Sequence, residues 1–339
     1  MKYKVISIDI AKNVFQVCAL DHHHKVRFNK QVSRAKLLDT LRQLECDYVV
    51  MEACYSSNPW GRSLQNLGHE VKLIPPYQVK PFVVGNKNDP NDALAIAEAS
   101  LRPTARFVPI KSLEQQDIQS LDRIRERLVK QRTAVLNQLR GLLSEYGIAV
   151  PKGPHKLTQQ VPGILEDGDH ALTVTARKFV SDLHDEVKVL NTRITEVEND
   201  TQALLKDHPS YTLLQTIRGI GPVIAAALIA SIDTGKQFKN GRSMAAWMGL
   251  TPSQHSSGES NVMGSITKRG NAPLRKLLIH GARTVINGCE NKQDKFSLWI
   301  KRLLSRMHPC KAIVAVANKL ARMAWAVLVK QEPYSPDMA

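Results

Sequence analysis

Apolar and polar positions alternate with a two-residue period in the first third of the chain and with a 3–4-residue period in most of the rest. Residues 3–9, 13–19 and 25–30 predict a three-stranded meander, with His22-His23-His24 read as a solvated turn rather than a metal tract. A helix is predicted near 33–43 and a strand over Tyr48-Val49-Val50-Met51-Glu52. A helix near 59–67 and a strand at 70–75, stopped by Pro75-Pro76, follow. A helix opening at Asp89-Pro90-Asn91-Asp92 completes the set.

Three strands followed by helix, strand, helix, strand and helix is the order of a ribonuclease-H-like α/β domain, placed here at residues 1–110. From about 112 to 147 the pattern becomes one long helix, with Leu121, Leu128, Val135 and Leu142 seven residues apart. A second runs from about 171 to 206 through Val180, Leu183, Val187, Leu190, Ile194 and Val197. Pro151 to Pro162 is read as a break between them. Residues 111–207 therefore predict a helical coiled-coil linker, as an antiparallel arm, a dimerisation element or an ordinary packed helix pair. Residues 208–339 predict a mainly helical domain.

Composition narrows the partners. The chain of 339 residues has 47 Lys and Arg against 31 Asp and Glu, a formal charge of +16. Residues 241–339 alone hold 15 basic and 5 acidic side chains, a concentration suited to a polyanion. No apolar stretch approaches the roughly 18–20 residues of a membrane span, and the N-terminus lacks a secretory pattern. Five scattered cysteines (Cys18, Cys46, Cys54, Cys289, Cys310) without CxxC spacing suggest reduced thiols. A cytoplasmic protein without a membrane partner, nucleoid-associated when active, is expected.

Four carboxylates are the first candidate chemistry. Asp9 and Glu52 close apolar strands, where an acid is costly unless a cation neutralises it. Asp89 and Asp92 lie three apart at a helix start, so they share a face and suit either the helix dipole or a metal. Together they match an oxygen-ligand set for Mg²⁺, with two metals possible, and phosphodiester chemistry. The second candidate is Arg218-Gly219-Ile220-Gly221-Pro222, which has the form of a helix-hairpin-helix turn. Gly219 and Gly221 would allow the turn, and the following helix would offer amides to a phosphate. The third is the polar loop Gly249 to Gly258, containing His255, Ser256 and Ser257. Lys268, Arg269, Arg275 and Lys276 lie downstream and suit phosphate clamping. His255 could move a proton or have no role.

These segments in this order resemble the DEDD transposases of the insertion-sequence 110/1111 group, the bridge-RNA-guided recombinases. The marks are Ile8-Asp9-Ile10-Ala11-Lys12, Met51-Glu52-Ala53-Cys54, Asn86-Lys87-Asn88-Asp89-Pro90-Asn91-Asp92-Ala93, Arg218-Gly219-Ile220-Gly221, Gly249-Leu250-Thr251-Pro252, Ser256-Ser257-Gly258 and Ile266-Thr267-Lys268-Arg269-Gly270-Asn271. The resemblance implies a RuvC-like domain binding Mg²⁺ through Asp9, Glu52, Asp89 and Asp92. It also implies a C-terminal transposase domain whose catalytic serine precedes the motif glycine, at Ser257, with Ser256 one position away. Attack by that serine on a DNA phosphate, a noncoding bridge RNA pairing with element ends and target DNA, and assembly as a dimer to tetramer are further implications. A RuvC-type junction resolvase using the metal site alone, or a non-catalytic nucleic-acid scaffold, are the alternatives.

Overall fold

Strand alternation builds the N-terminal sheet. The computed structural model describes residues 2–86, 88–151, 153–169, 171–258 and 260–335, which form two compact units, residues 1–113 and 114–339. In the first, β1 (Tyr3–Ile10), β2 (Val14–Leu20), β3 (Val26–Ser33), β4 (Cys46–Glu52) and β5 (Val71–Ile74) form one sheet in the order β3-β2-β1-β4-β5. β1 pairs antiparallel with β2 and parallel with β4. His22 and His23 lie in the turn after Asp21, whose carboxylate accepts from the His23 and Lys25 amides.

Val5, Cys18, Leu20, Tyr48, Val50 and Ile74 project from one face of the sheet. They pack against Ala93, Ile96, Ala97 and Ala99 of α4 (Asp89–Ser100). Ile6, Ile8, Phe15, Val17, Val49 and Met51 project from the other face, onto Leu37 and Leu41 of α1 (Leu37–Arg42) and Leu64 of α2 (Ser57–Asn66). A short α3 (Pro76–Val79) follows β5, with Pro75 in an extended conformation ending the strand. The alanines of α4 let it lie close on the sheet: buried Ser7 donates its hydroxyl to Ala93 O at 2.6 Å.

The second unit begins within the first turn of α5 (Leu113–Glu145), which α6 (Pro154–Glu166) and α7 (Val174–Leu205) follow. Arg125 Nε meets Glu198 Oε1 at 2.6 Å, and Arg132 Nη1 donates to Asn191 Oδ1 at 2.9 Å. Seven residues forward on α5 thus correspond to seven residues back on α7, so the two run antiparallel. Leu128, Val135, Leu136, Leu139 and Leu143 of α5 share an apolar cluster with Val180, Val187, Leu190 and Ile194 of α7. The segment read as a Pro/Gly break is mostly the helix α6, with Pro162 inside it. Leu157, Val161 and Ile164 bury one stripe in the same cluster while Pro162 faces solvent, and that burial outweighs the proline's local preference.

The remaining helices are α8 (Pro209–Gln215), α9 (Pro222–Ile232), α10 (Gly241–Trp247), α11 (Ala272–Asn287), α12 (Lys295–Arg306) and α13 (Pro309–Lys330). They share one core, centred on Ala312, Val316, Leu320, Ala324 and Val327 of α13. By length and composition α13 could cross a membrane, which corrects the reading that no stretch is that long. More than half of its apolar window is buried inside this helical core, the ordinary position of a core helix. Between α10 and α11 stand two antiparallel strands, β6 (Pro252–Ser257) and β7 (Ser260–Ile266), where the sequence suggests a polar loop.

Candidate active site

The sheet register sets Asp9 and Glu52 side by side. β1 and β4 pair in parallel with Ile8 opposite Met51, so the next residues, Asp9 and Glu52, occupy one level at the ends of their strands. Both lie in the alternation set of Val5, Ser7 and Val50, on the α4 face. Across β2, Asp9 is opposite Gln16, which extends the row to Glu52, Asp9 and Gln16. Asp9 and Glu52 are half-buried, whereas Gln16 is 4% exposed.

α4 brings its first turn over the same face. At its far end Tyr48 Oη lies 3.1 Å from Ser100 Oγ, near the start of β4; further back Ser7 holds Ala93, and Asn29 Nδ2 of β3 donates to Pro90 O at 2.9 Å. The helix therefore crosses obliquely from β4 to β3 and carries Asp89 and Asp92 toward the β2–β3 side of the strand acids. Its amino end is capped by Asn88, whose side chain accepts from Asn91 N, so neither aspartate is needed as the capping group. Among the described residues no three His, Cys, Asp or Glu side chains converge closely enough to hold an ion, so the structure pairs Asp9 with Glu52 at the strand ends and does not gather the four acids into a finished ligand cage.

The second candidate site is the β6–β7 hairpin. Ser257 pairs with Ser260 at its tip, and of the described hairpin residues only Ser253 and Ile266 are not exposed. Ser256 donates to Asn261 Oδ1 at 2.9 Å, and Gln254 Nε2 donates to Ser256 Oγ at 2.9 Å. The Ser257 hydroxyl makes no hydrogen bond among the described residues, while Gly258 after it takes φ +55°. His255, two residues before Ser257 on the strand, lies on the same face.

The two motifs flanking the hairpin form its root. Thr267 N donates to Thr251 O at 2.9 Å, and Arg275 Nη1 donates to Met248 O at 2.9 Å and Arg269 O at 2.8 Å. Gly270 takes φ +71°, and any Cβ there would run into Trp247 O, which accounts for the glycine. Arg275 is thus committed to backbone carbonyls, while Lys268, Arg269 and Lys276 are exposed around the root.

The α8–α9 turn brings Gly219 against α11. Gly219 takes φ +93°, and a Cβ there would meet Gly281 O at 3.0 Å and press on Val285. Arg218 donates to Ser297 Oγ at 2.8 Å and to Asp294 Oδ2 at 3.2 Å, supporting the amino end of α12. Gly221 is the N-cap of α9, and a cavity of about 20 Å³ beside the first turn of α9 is also lined by Asp122 and Glu198. Burial raises the Asp122 pKa, against the smaller opposing pull of Arg125. Two carboxyl groups therefore stand near the helix start to which the motif assigns a phosphate.

Gln16 escapes a reading of the sequence. Its only signal is a lone amide within the otherwise apolar run Val14-Phe15-Gln16-Val17-Cys18-Ala19-Leu20.

Comparison with known proteins bears on both sites. Residues 6–148 match a DEDD transposase model of the IS110 type, and residues 211–297 match the transposase IS116/IS110/IS902 family. The DEDD domain implies dependence on a divalent cation. The chain is 43% identical to the transposase for insertion sequence element IS1111A of Coxiella burnetii, over 98% of this chain and 91% of that protein. It is 44% identical to a probable family 20 transposase of Pseudomonas aeruginosa, over 99% of this chain and all of that protein. At 22% identity, over 98% of each chain, it is also similar to the pilin gene-inverting protein of Moraxella bovis.

Proposed function

The chain belongs to the IS110/IS116/IS902 family of insertion-sequence transposases, DNA-processing enzymes, and from that premise we propose that it cuts and rejoins DNA through a covalent link at Ser257. The observation that carries this reading is the contrast at the hairpin tip. Ser256 is held by Gln254 and Asn261, whereas the exposed Ser257 hydroxyl is left uncommitted among the described residues. The Ser257 oxygen would form a bond to phosphorus as one sugar–oxygen bond to phosphorus breaks, the serine hydroxyl giving up its proton to solvent and the departing sugar oxygen taking one from it. Attack by another strand's hydroxyl on the phosphoserine would reverse these changes, restoring the Ser257 hydroxyl and joining the strands. No bond energy is lost to water, so no nucleotide cofactor is needed.

Asp9, Glu52, Asp89 and Asp92 are the residues proposed to hold Mg²⁺. The donor set fits such an ion: all ligands are oxygens, two sit side by side on the sheet, and Gln16, opposite Asp9, has its Oε1 enclosed without a hydrogen-bond partner among the described residues. Bound there, the ion would supply Lewis-acid stabilisation of the phosphate's charge. The half-buried Asp9 and Glu52 would fix the position of that charge, and the exposed Asp89 would close on it from α4. Support for a RuvC-like fold in residues 1–110 comes from the strand order with β2 antiparallel to the other central strands.

The remaining assignments are a coiled-coil linker at 111–207 and a transposase domain at 208–339. The exposed Lys268, Arg269 and Lys276 suit backbone phosphates more than base edges. That agrees with sequence choice by a noncoding bridge RNA paired to element ends and target, in a dimer to tetramer that acts at the nucleoid in the cytoplasm. The test is a strand-exchange assay with element ends, target DNA, bridge RNA and Mg²⁺. Wild type should recombine, and Ser257→Ala and Asp9→Asn should not; exchange by the Ser257→Ala chain would refute the covalent route.

A further inference from the structure

Gln16 is an amide inside the N-terminal unit that the four-carboxylate reading does not use. Its Nε2 donates to Asn29 Oδ1 at 2.6 Å, and Asn29 Nδ2 donates to Pro90 O at 2.9 Å. This chain fixes the direction of both amides. Pro90 O can only accept, so Asn29 must face it with its NH₂; Asn29 then offers an oxygen, which Gln16 can meet only with its own NH₂. The opposite end, Gln16 Oε1, is enclosed and has no hydrogen-bond partner among the described residues.

An enclosed amide oxygen without a donor is unfavourable, and β2 packing does not require it, because an aliphatic side chain would fill the same space. The position explains it better than the packing does. Gln16 stands directly opposite Asp9 in the row Glu52–Asp9–Gln16, and its partner Asn29 is tied to the helix turn that carries Asp89 and Asp92. It lies between the strand acids and the side to which α4 carries the helix acids.

We propose that Gln16 is a fifth oxygen group of the carboxylate site, presenting Oε1 to the hydrated divalent cation. Asn29 is the positioning residue that orients Gln16 and couples it to the first turn of α4. Mg²⁺ keeps much of its water, so a neutral acceptor beside the carboxylates is suited to that hydration. Outer partners of this kind change metal affinity about 10–100-fold. The inference rests on Asp9 and Glu52 holding the cation.

The test is Mn²⁺ binding by calorimetry to the full-length chain, with melting temperatures in EDTA, for wild type and the Gln16→Leu, Asn29→Ala and Asp9→Asn variants. Gln16→Leu should melt in EDTA at or above the wild-type temperature, since the orphaned oxygen is gone, yet bind Mn²⁺ at least about tenfold more weakly. Asn29→Ala should weaken binding by a smaller factor, and Asp9→Asn should abolish it. Loss of binding in Asp9→Asn with wild-type affinity in Gln16→Leu overturns the role of Gln16 alone. Wild-type affinity in Asp9→Asn overturns the carboxylate site itself. If Gln16→Leu melts lower in EDTA, or does not fold, Asn29→Ala decides: affinity within twofold of wild type makes the amide pair structural and overturns the proposal.

Discussion

Ser256 donates its hydroxyl to Asn261 across the β6–β7 hairpin at 2.9 Å, which separates its chemistry from that of its neighbour Ser257. A hydroxyl already bonded to an amide oxygen is an anchor for the strand pair; the uncommitted one beside it is available for attack. Ser256→Ala should therefore keep covalent DNA linkage within about fivefold of wild type, whereas Ser257→Ala should lose about a thousandfold or more. Denaturing gels of protein–DNA adducts measure both. Equal losses in the two variants would contradict the assignment.

Arg218 and Asp294 give a pH-dependent prediction. The Ser297 hydroxyl and amide, together with Arg218, hold the Asp294 carboxyl down to about 2, below its ordinary value of 3.8. The folded-state value is the lower one, so this stabilisation is complete above about pH 4 and disappears as pH falls through about 2. Because the Asp294 side chain is 47% exposed, screening keeps the contribution below about 1 kcal/mol. Urea denaturation of wild type and Asp294→Asn should show a gap at pH 6 that narrows toward pH 2.5.

Gly219 should tolerate no side chain. Its φ of +93° and its approach to Gly281 O and Val285 combine backbone strain with overpacking. Gly219→Ala should cost about 3 kcal/mol, read as a lowered denaturation midpoint.

Ser7 links the sheet to the helix bearing Asp89 and Asp92. Ser7→Ala removes the bond to Ala93 O and should cost about 1 kcal/mol. Its local signature should be faster amide exchange in the first turns of α4, measured by hydrogen exchange.

The parts of the fold carried by periodic burial are legible in the amino-acid sequence. Val5, Ser7 and Asp9 on one face and Ile6 and Ile8 on the other follow from alternation alone, and α5 and α7 follow from their apolar spacing. Pro162 misleads because a proline marks a break only when burial does not override it; Leu157, Val161 and Ile164 supply that burial. The β6–β7 hairpin is hidden because its exposed strands have no buried face to impose a pattern. The candidate acids are readable as residues, but the oblique path of α4 across the sheet is not. That path depends on contacts made by Ser7, Asn29 and Tyr48 with residues far along the chain.

The most direct test of covalent attack by Ser257 is mass spectrometry of the protein–DNA adduct trapped during strand exchange with Mg²⁺. Tryptic digestion after nuclease treatment isolates residues 243–268, which contain the hairpin and both adjacent serines. The covalent route predicts a nucleotide remnant on Ser257, absent when Asp9 is replaced by Asn. Strand exchange with no adduct, or with the remnant on another residue, would contradict it.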